Sequence, residues 1–454
     1  MVASLWMRAP EAPGTWIGLD PLGLLFLSLT SVLFLAAAVY AVGYLRREPA
    51  SARAGFDEGE TFTNGPEAQF LACLLLFLGT MSLVALSRHM GLLWVAIEAT
   101  TLASAPLIYF HRHHRSLEAT WKYLLICSVG IALAMLGNFF LAVAGSAAEG
   151  GGVRLSLEAL VGSAARLDPN WLQGAFILCL VGYGTKMGLA PMHTWLPDAH
   201  SEAPSMVSAL LSGALLNCAF LGVLRMHSVM VAAGQSAASR QLLTVLGLVS
   251  LVVGAAFIIR QADFKRMLAY SSVEHMGILA LGVGLGGAGC FGSLLHTVNH
   301  SLTKGALFLL AGNVLATFGT KSTAGVSNIL RRRPLTGVLW IAGFLAICGS
   351  PPFGAFLSEL TVLKAALGDG RGFVAAGYLA ALGVVFVAMA RIVLPMSYRR
   401  AEGDQDALPP APEPAWSVLP PLILLSGVLV LGCYVPPWLT DMLQQAAGGL
   451  GGTP

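Results

Sequence analysis

The chain has 454 residues, 56% of them hydrophobic and only 11% charged, with a formal net charge of +3 and a mean hydropathy of +0.74. Soluble domains carry roughly 25% charged residues, so this composition excludes a water-covered globular domain. Apolar runs of about 20 residues fit bilayer-crossing helices and exclude a β-barrel, whose strands alternate over about 10 residues.

The first twenty residues contain Pro10, Glu11, Pro13 and Asp20 and lack an apolar stretch with a cleavage site, so no signal peptide is expected. About twelve spans follow: 21–45, 68–86, 91–110, 121–145, 171–191, 204–224, 241–259, 266–286, 289–318, 336–367, 372–396 and 417–435. The longest loops are 46–67, 146–170 and 397–416, and none is large enough for an inserted soluble domain.

Charged groups inside a span cost roughly 2.5–3.5 kcal/mol each at mid-bilayer and need a partner, water or a function. Glu98 is the first, eight residues into 91–110 with no other acid or base in that stretch. Lys186 is its natural partner. The two readings are a salt bridge that only fixes packing and a pair that modulates proton affinity. Next comes HRHHR (111–115), expected as a solvated basic loop rather than a metal tract.

Lys186 lies near the end of span 171–191, which runs into Pro191, His193, Pro197 and Asp198. Proline removes a backbone donor and breaks a helix, and in a membrane such a break is tolerated only where protein or water satisfies the freed groups. A second break is expected at GSPPFG (349–354), around Pro351 and Pro352, with Glu359 just beyond it. Paired broken helices point to an ion pathway. Glu359 is a candidate terminal proton site.

Between the breaks, Lys265 opens a segment that continues to Glu274 and His275. It is either a cytoplasmic anchor or the bottom of a proton wire; its neighbour Arg266 reads as an anchor. His296, His300 and Lys304 recur at i, i+4 and i+8, one stripe of a helix. Histidine can accept and donate protons near neutral pH. A metal pair and satisfied packing histidines are the rival readings, but the glutamate of the zinc-protease pattern is absent. Arg391 is expected to snorkel.

The seven cysteines are scattered singly without a CxxC, which argues against a zinc or iron–sulfur site and a disulfide framework. Fifteen loop Lys and Arg fall on one side of the spans against six on the other, namely Arg88, Arg154, Arg166, Arg225, Arg240 and Arg371. The positive-inside rule makes the richer side cytoplasmic. With an even span count both termini lie outside, in a prokaryotic inner membrane.

The stretches LLWVAIEATTLASAPLIY, GTKMGLAPMHTWLPDAHSEAPS, DFKRMLAYSSVEHMG, HTVNHSLTKGALFLLAGN and GSPPFGAFLSEL, in that order, resemble the antiporter-like subunits of respiratory complex I, membrane-bound hydrogenases and multi-subunit cation/proton antiporters. DFKRMLAYSSVEHMG and SALLSGALLNCA look most like the F component of hydrogenase-4, of the group 4 NiFe-hydrogenase and formate hydrogenlyase type. The resemblance implies an all-α polytopic fold with two inverted five-helix repeats and two discontinuous helices. Residues 1–67 would form an N-terminal segment and first span, 68–232 the first repeat, 233–397 the second, and 398–454 a C-terminal loop and last span. By this resemblance the first two family helices are expected to be missing, since the span at 21–45 resembles the third.

By the same resemblance Glu98 and Lys186 match the family's acid–lysine pair, Lys265, His296, His300 and Lys304 its central axis, and Glu359 its terminal site. Many relatives carry a bridging lysine or histidine near Leu211–Asn217. Here only Ser212 and Asn217 stand there, so the wire is thinnest at Asn217. The implied function is a proton-translocating membrane subunit of a redox-driven respiratory or hydrogenase complex. The alternatives are a sodium/proton antiporter or inorganic-carbon uptake subunit, and a membrane anchor whose channel has become inert. No residue cluster binds a redox cofactor. The partner membrane and peripheral subunits would hold iron–sulfur clusters and NiFe or quinone. Protons and lipid are the other partners, and nucleic acid is not one.

Overall fold

Aspartates set several helix starts. Asp20, Asp168 and Asp263 each accept backbone N–H groups of the first helical turn that follows them, and Pro21 and Pro169 supply the pre-set first residue. The computed structural model describes residues 16–46, 53–54, 61–146, 155–399 and 413–452.

In chain order the helices are α1 (Pro21–Leu45), α2 (Glu67–Leu86), α3 (Met90–Ile108), α4 (His114–Ser146), α5 (Leu157–Gly162), α6 (Pro169–Met187) and α7 (Trp195–Glu202). They continue as α8 (Ser205–Ala232), α9 (Ser236–Ile258), α10 (Phe264–Leu285), α11 (Ala288–Phe318), α12 (Ile329–Arg332), α13 (Pro334–Ile347), α14 (Gly354–Gly368), α15 (Gly372–Tyr398), α16 (Ala415–Cys433) and α17 (Pro437–Gly448). A two-residue antiparallel pairing, Arg53–Ala54 with Thr61–Phe62, is the one strand pair among the described residues.

Ten of these helices are long and apolar enough to cross a membrane, so the protein is an all-α polytopic membrane protein. The most apolar stretches of α8 and α10 are wholly buried, whereas those of α2, α4 and α15 are 33–39% buried and turn Leu, Val and Phe side chains outward. α8, α10 and α11 therefore form the interior, and the lipid-facing apolar surface lies around them. Close approach within the bundle uses small residues, as membrane helices do. A Cβ on Gly182 would lie 2.5 Å from the Gly130 carbonyl oxygen, so α6 and α4 touch backbone to backbone there.

The two interruptions expected around 171–191 and 336–367 are both present. α6 ends at Met187, with Gly188 left-handed (φ +84°) and Pro191 three residues later; α7 then resumes. α13 ends at Ile347, with Gly349 left-handed (φ +62°) and Pro351 and Pro352 following, before α14. Left-handed glycine ends a helix without a Cβ penalty. Pro197 does not break anything: it sits in the first turn of α7, where a missing N–H costs nothing.

Other expectations shift for physical reasons. α4 begins at His114, so the last two residues of HRHHR are in that helix; His111 Nδ1 pairs with Asn64 and His113 faces Glu202 at 3.5 Å. Span 204–224 extends to Ala232 because the polar residues near its end stay buried, His227 on Ser239 and Arg225 on Asp20. The loop after α4 holds α5. Beyond the last span, α17 folds back, and the Gly451 carbonyl accepts from Arg240.

The charged ends of the helices separate into two groups of pairs. On one side Arg88 binds Glu158, and Arg225 forms a bidentate pair with Asp20. On the other, Asp198 takes Lys122 at 3.0 Å and Arg266 at 2.6 Å, and Glu202 takes Lys321 at 2.9 Å. This division matches the loop charges, with Arg88, Arg225 and Arg240 on the poorer side. Arg47, Arg154 and Arg400 lie outside the described residues.

Candidate functional site

Glu98 lies half-buried in the middle of α3. Its Oε1 accepts from Ser128 Oγ at 2.9 Å and its Oε2 from Thr101 Oγ1 at 3.2 Å. Lys186, in the last turn of α6, is wholly buried and donates to Thr101 Oγ1 and to Tyr123 OH, both at 2.6 Å. The expected acid–lysine pair is thus not a direct ion pair. The Thr101 hydroxyl stands between them, accepting from the ammonium and donating to the carboxylate. Thr101 follows Glu98 by three residues, so one helix face carries both. The C-terminal end of α6 also favours a cation.

Asn217 follows a turn of π-helix at Leu211–Leu215, a widening common at functional sites. Its Nδ2 donates to the Gly213 carbonyl and to Ser301 Oγ, both at 2.7 Å, and its Oδ1 has no partner among the described residues. The neighbouring Ser212 meets Ser272 of α10 at 2.8 Å. Asn217 therefore touches the same helix that carries His300 and Lys304.

Lys265 is buried, not a surface anchor. Its Nζ donates to the Ala203 and Ser201 carbonyls at 2.5 and 3.2 Å, closing the C-terminal end of α7. Arg266 is the anchor, on Asp198. Beside them a cavity of about 580 Å³ is lined by both signs of charge, including Lys122, Asp198, Glu202, Asp263 and Lys321. Burial alone would raise the Glu202 carboxyl, but Lys321 and His113 outweigh it and hold it below the usual range. His200, two residues before Glu202 on α7, stacks on Phe308 at 4.8 Å within electrostatic range of Lys265 and Lys304. Neither of its ring nitrogens has a partner among the described residues.

Lys304 donates to the Leu268 carbonyl at 2.7 Å and to Ser271 Oγ. Along the same α11 stripe, His300 packs 5.3 Å from the ring of His275, and His296 Nε2 meets His275 Nδ1 at 2.8 Å. His296 Nδ1 continues to Ser358 Oγ at 2.9 Å, the residue before Glu359. The i, i+4, i+8 spacing thus lines up as expected, and α10 adds His275 to it.

Donor atoms of His275, His296 and Glu359 lie within 4.8 Å of one another, near enough to suggest a metal. The two imidazole nitrogens, however, are 2.8 Å apart, a hydrogen bond. Two nitrogens on one tetrahedral zinc would sit roughly 3.3 Å apart at the usual bond lengths. In this arrangement the two imidazoles face each other as a hydrogen-bonded pair.

His193 is mostly buried beside Tyr270 and Phe257, in the link between α6 and α7. Sequence reasoning missed Thr101, Tyr123, Ser128 and Ser358, because a hydroxyl in an apolar helix gives no hydropathy signal. Only the i+3 spacing of Thr101 from Glu98 hinted at one of them.

Across residues 87–384 the chain matches the family described as NADH:quinone oxidoreductase/Mrp antiporter, TM. It is 35% identical over 445 residues to a hydrogenase-4 component F homolog of Methylacidiphilum infernorum, covering 96% of this chain and 89% of that one. It is 30% identical to NADH-quinone oxidoreductase subunit N of Desulforudis audaxviator, with coverage of 96% and 85%. Among solved structures, a chain of respiratory complex I from Thermus thermophilus superposes with a TM-score of 0.73 at 26% identity, covering 98% of this chain and 90% of that one. A chain of the membrane-bound sulfane sulfur reductase, an archaeal respiratory membrane complex, gives 0.83 at 23% identity, with coverage of 97% and 85%.

Proposed function

We propose, from the premise that this chain belongs to the NADH:quinone oxidoreductase/Mrp antiporter transmembrane family, that protons move along its mid-membrane chain of carboxylates, lysines, histidines and hydroxyls. The protein is a proton- or ion-translocating membrane subunit of a hetero-oligomeric complex of the respiratory or antiporter type. The observation that carries the mechanism is the hydroxyl of Thr101, which couples Glu98 to a wholly buried Lys186.

Glu98 is the switch acid. Half-buried, it faces outward beside the exposed Val95 and Leu102, where a neighbouring subunit can press on it. Moving its carboxylate off Thr101 changes how firmly Lys186 holds its proton, because an opposite charge nearby favours the charged amine. Protons enter from the cavity beside Glu202 and pass Lys265 and His200 toward Lys304. Asn217, which cannot itself carry a proton, holds water that joins Lys186 to this axis. His300 and His296 lead on to Glu359, the exit. Pro191, His193, Pro197, Asp198, Pro351 and Pro352 shape the segments beside the two breaks.

The helices divide into two inverted repeats, α2 to α8 and α9 to α15, each with its fourth span broken. With twelve spans the termini face outward from a prokaryotic inner membrane. The subunit is of the hydrogenase-4 component F type, and its partners carry the iron–sulfur, NiFe or quinone cofactors that drive it.

The test is proton pumping by the assembled complex in vesicles carrying Glu98→Gln or Lys186→Ala. Both are expected to stop pumping on the order of a hundredfold, with assembly intact on native gels. Undiminished pumping in either overturns the reading. A second reading, exchange of sodium for protons, draws on the 32% identity to a Na(+)/H(+) antiporter protein of Alkalihalophilus pseudofirmus, of which this chain covers 41%. Sodium dependence of the same flux decides it.

A further inference from the structure

Glu274 is the buried acid that the scheme above leaves unused. It is 1% exposed on α10, and neither carboxylate oxygen has a hydrogen-bond partner among the described residues. An unpartnered buried carboxylate is costly and calls for an explanation. Gly254 of α9 packs so tightly on it that a Cβ there would lie 2.7 Å from the Glu274 Cβ, which seals the acid from lipid.

Its surroundings are titratable on nearly every side. On its own helix, His275 Nε2 is 3.4 Å from Glu274 Oε2. Lys304 of α11 is within electrostatic range. So are Glu359 of α14, Cys348 at the second break and Tyr378 of α15. Several buried polar atoms of this cluster have no partner among the described residues: both Glu274 oxygens, His275 Nε2, both nitrogens of His300, Glu359 Oε1 and Tyr378 OH. Such a composition suits water and mobile protons.

Element order gives the acid a counterpart. Glu98 sits on the second helix of the first repeat, hydroxyl groups of the third helix face it, and the titratable group of the broken fourth helix is Lys186. Glu274 sits on the second helix of the second repeat, the imidazoles and Lys304 of the third helix face it, and the titratable group of the broken fourth helix is Glu359. This correspondence rests on the repeat division proposed above; the contacts do not.

We infer that Glu274 is a proton-binding site of the translocation path, loaded from Lys304 and unloaded through His275 and His296 to Glu359. In the loading step an N–H bond of the Lys304 ammonium, which donates to Leu268 and Ser271 and not to Glu274, breaks and an O–H bond forms on Glu274 through a bridging water. In the unloading step that O–H breaks as His275 Nε2 is protonated. His275 then releases a proton from Nδ1 to His296 Nε2, and His296 releases one from Nδ1 through Ser358 Oγ to the Glu359 carboxylate. Two carboxyl groups beside one ammonium are neutral when they share one proton, so the cluster stores a single proton between turnovers.

The experiment compares Glu274→Gln, Glu274→Asp and Lys304→Ala in the assembled complex, reading protons pumped per redox turnover. Infrared difference spectra follow the carbonyl stretch of protonated carboxyl groups through a pH jump. Glu274→Gln is expected to lower pumping on the order of a hundredfold and to remove one carbonyl band, while Glu274→Asp keeps both. Full pumping in Glu274→Gln with pumping lost in Lys304→Ala overturns the role of Glu274 and leaves the wider path standing. Full pumping in both overturns the path itself. Lost pumping with an unchanged carbonyl spectrum makes Glu274 a packing group and also overturns the proposal. Should Glu274→Gln fail to assemble, wild type against Glu274→Asp decides: a carbonyl band that does not shift between them overturns it.

Discussion

The two broken helices solve the same problem with opposite charges. At the first break a lysine precedes the gap, in the last turn of α6; at the second an acid follows it, early in α14. Each charge lies toward the helix end whose dipole suits it, cations at C-termini and anions at N-termini, although Glu359 lies beyond the first turn, where the effect fades. The glycines differ too. A Cβ on Gly188 would meet the apolar tip of Leu196 at 2.5 Å, whereas one on Gly349 would overlap Glu359 Oε2. The first break is sealed by hydrocarbon, and the second is packed against its own carboxylate. In the proposed mechanism the first therefore serves as an enclosed switch, and the second as the place where the proton-carrying group and the backbone gap coincide.

The largest effects separate the hydroxyl relay of the first break from the imidazole relay of the second. Thr101→Val should lower pumping about tenfold or more, since it removes a hydrogen bond to each of two charged groups worth roughly 1.5–3 kcal/mol apiece. Ser358→Ala should lower it less, because a water in the space left by its hydroxyl still passes the His296 proton on to Glu359. Pumping per turnover in vesicles ranks the two, and the reverse order breaks the comparison.

The glycines come next. Both substitutions to alanine place a side chain at positive φ, which costs roughly 1–3 kcal/mol. Gly188→Ala should lower thermal stability while pumping survives. Gly349→Ala should lower stability similarly and also lose pumping, because its methyl displaces the Glu359 carboxylate. Equal pumping in the two variants removes the distinction.

Away from both breaks, Asp20 holds Arg225. Burial opposes ionisation of Asp20, yet the adjacent guanidinium keeps its carboxyl below the ordinary 3.8. A depressed folded-state value means that the stabilisation is complete above pH 3.8 and is lost as pH falls through the lower folded value. Asp20→Asn should therefore destabilise the chain at neutral pH by about 1–3 kcal/mol and flatten its stability below pH 4, as thermal melts across pH would show. The smallest effect is Lys122→Ala. Its ammonium is 45% exposed between Glu118 and Asp198, and its loss should cost less than about 1 kcal/mol.

The ten long apolar helices and both interruptions could be read from hydropathy and proline alone, usually to within a few residues. The stripe of His296, His300 and Lys304 was visible for the same reason, because helical spacing fixes which side chains share a face. The partners on other helices were not visible. That Lys186 reaches Glu98 through Thr101, and that Lys265 turns inward to cap α7, depend on how helices cross. His275 and Glu274 stood in the sequence as a polar pair of no clear direction until α11 was laid against α10.

The sequence by itself thus determined a polytopic helical membrane protein, its buried charges and the location of its two breaks. These follow from local rules: span length, proline chemistry and the cost of charge in hydrocarbon. Tertiary structure alone decided which charges share a hydrogen bond, which face a cavity and which stand without partners. Those depend on distances between residues far apart in the chain. Thr101 and Lys186 are 85 positions apart, and His296 and Ser358 are 62. No local pattern carries that information, because the packing of glycine-lined helices sets it.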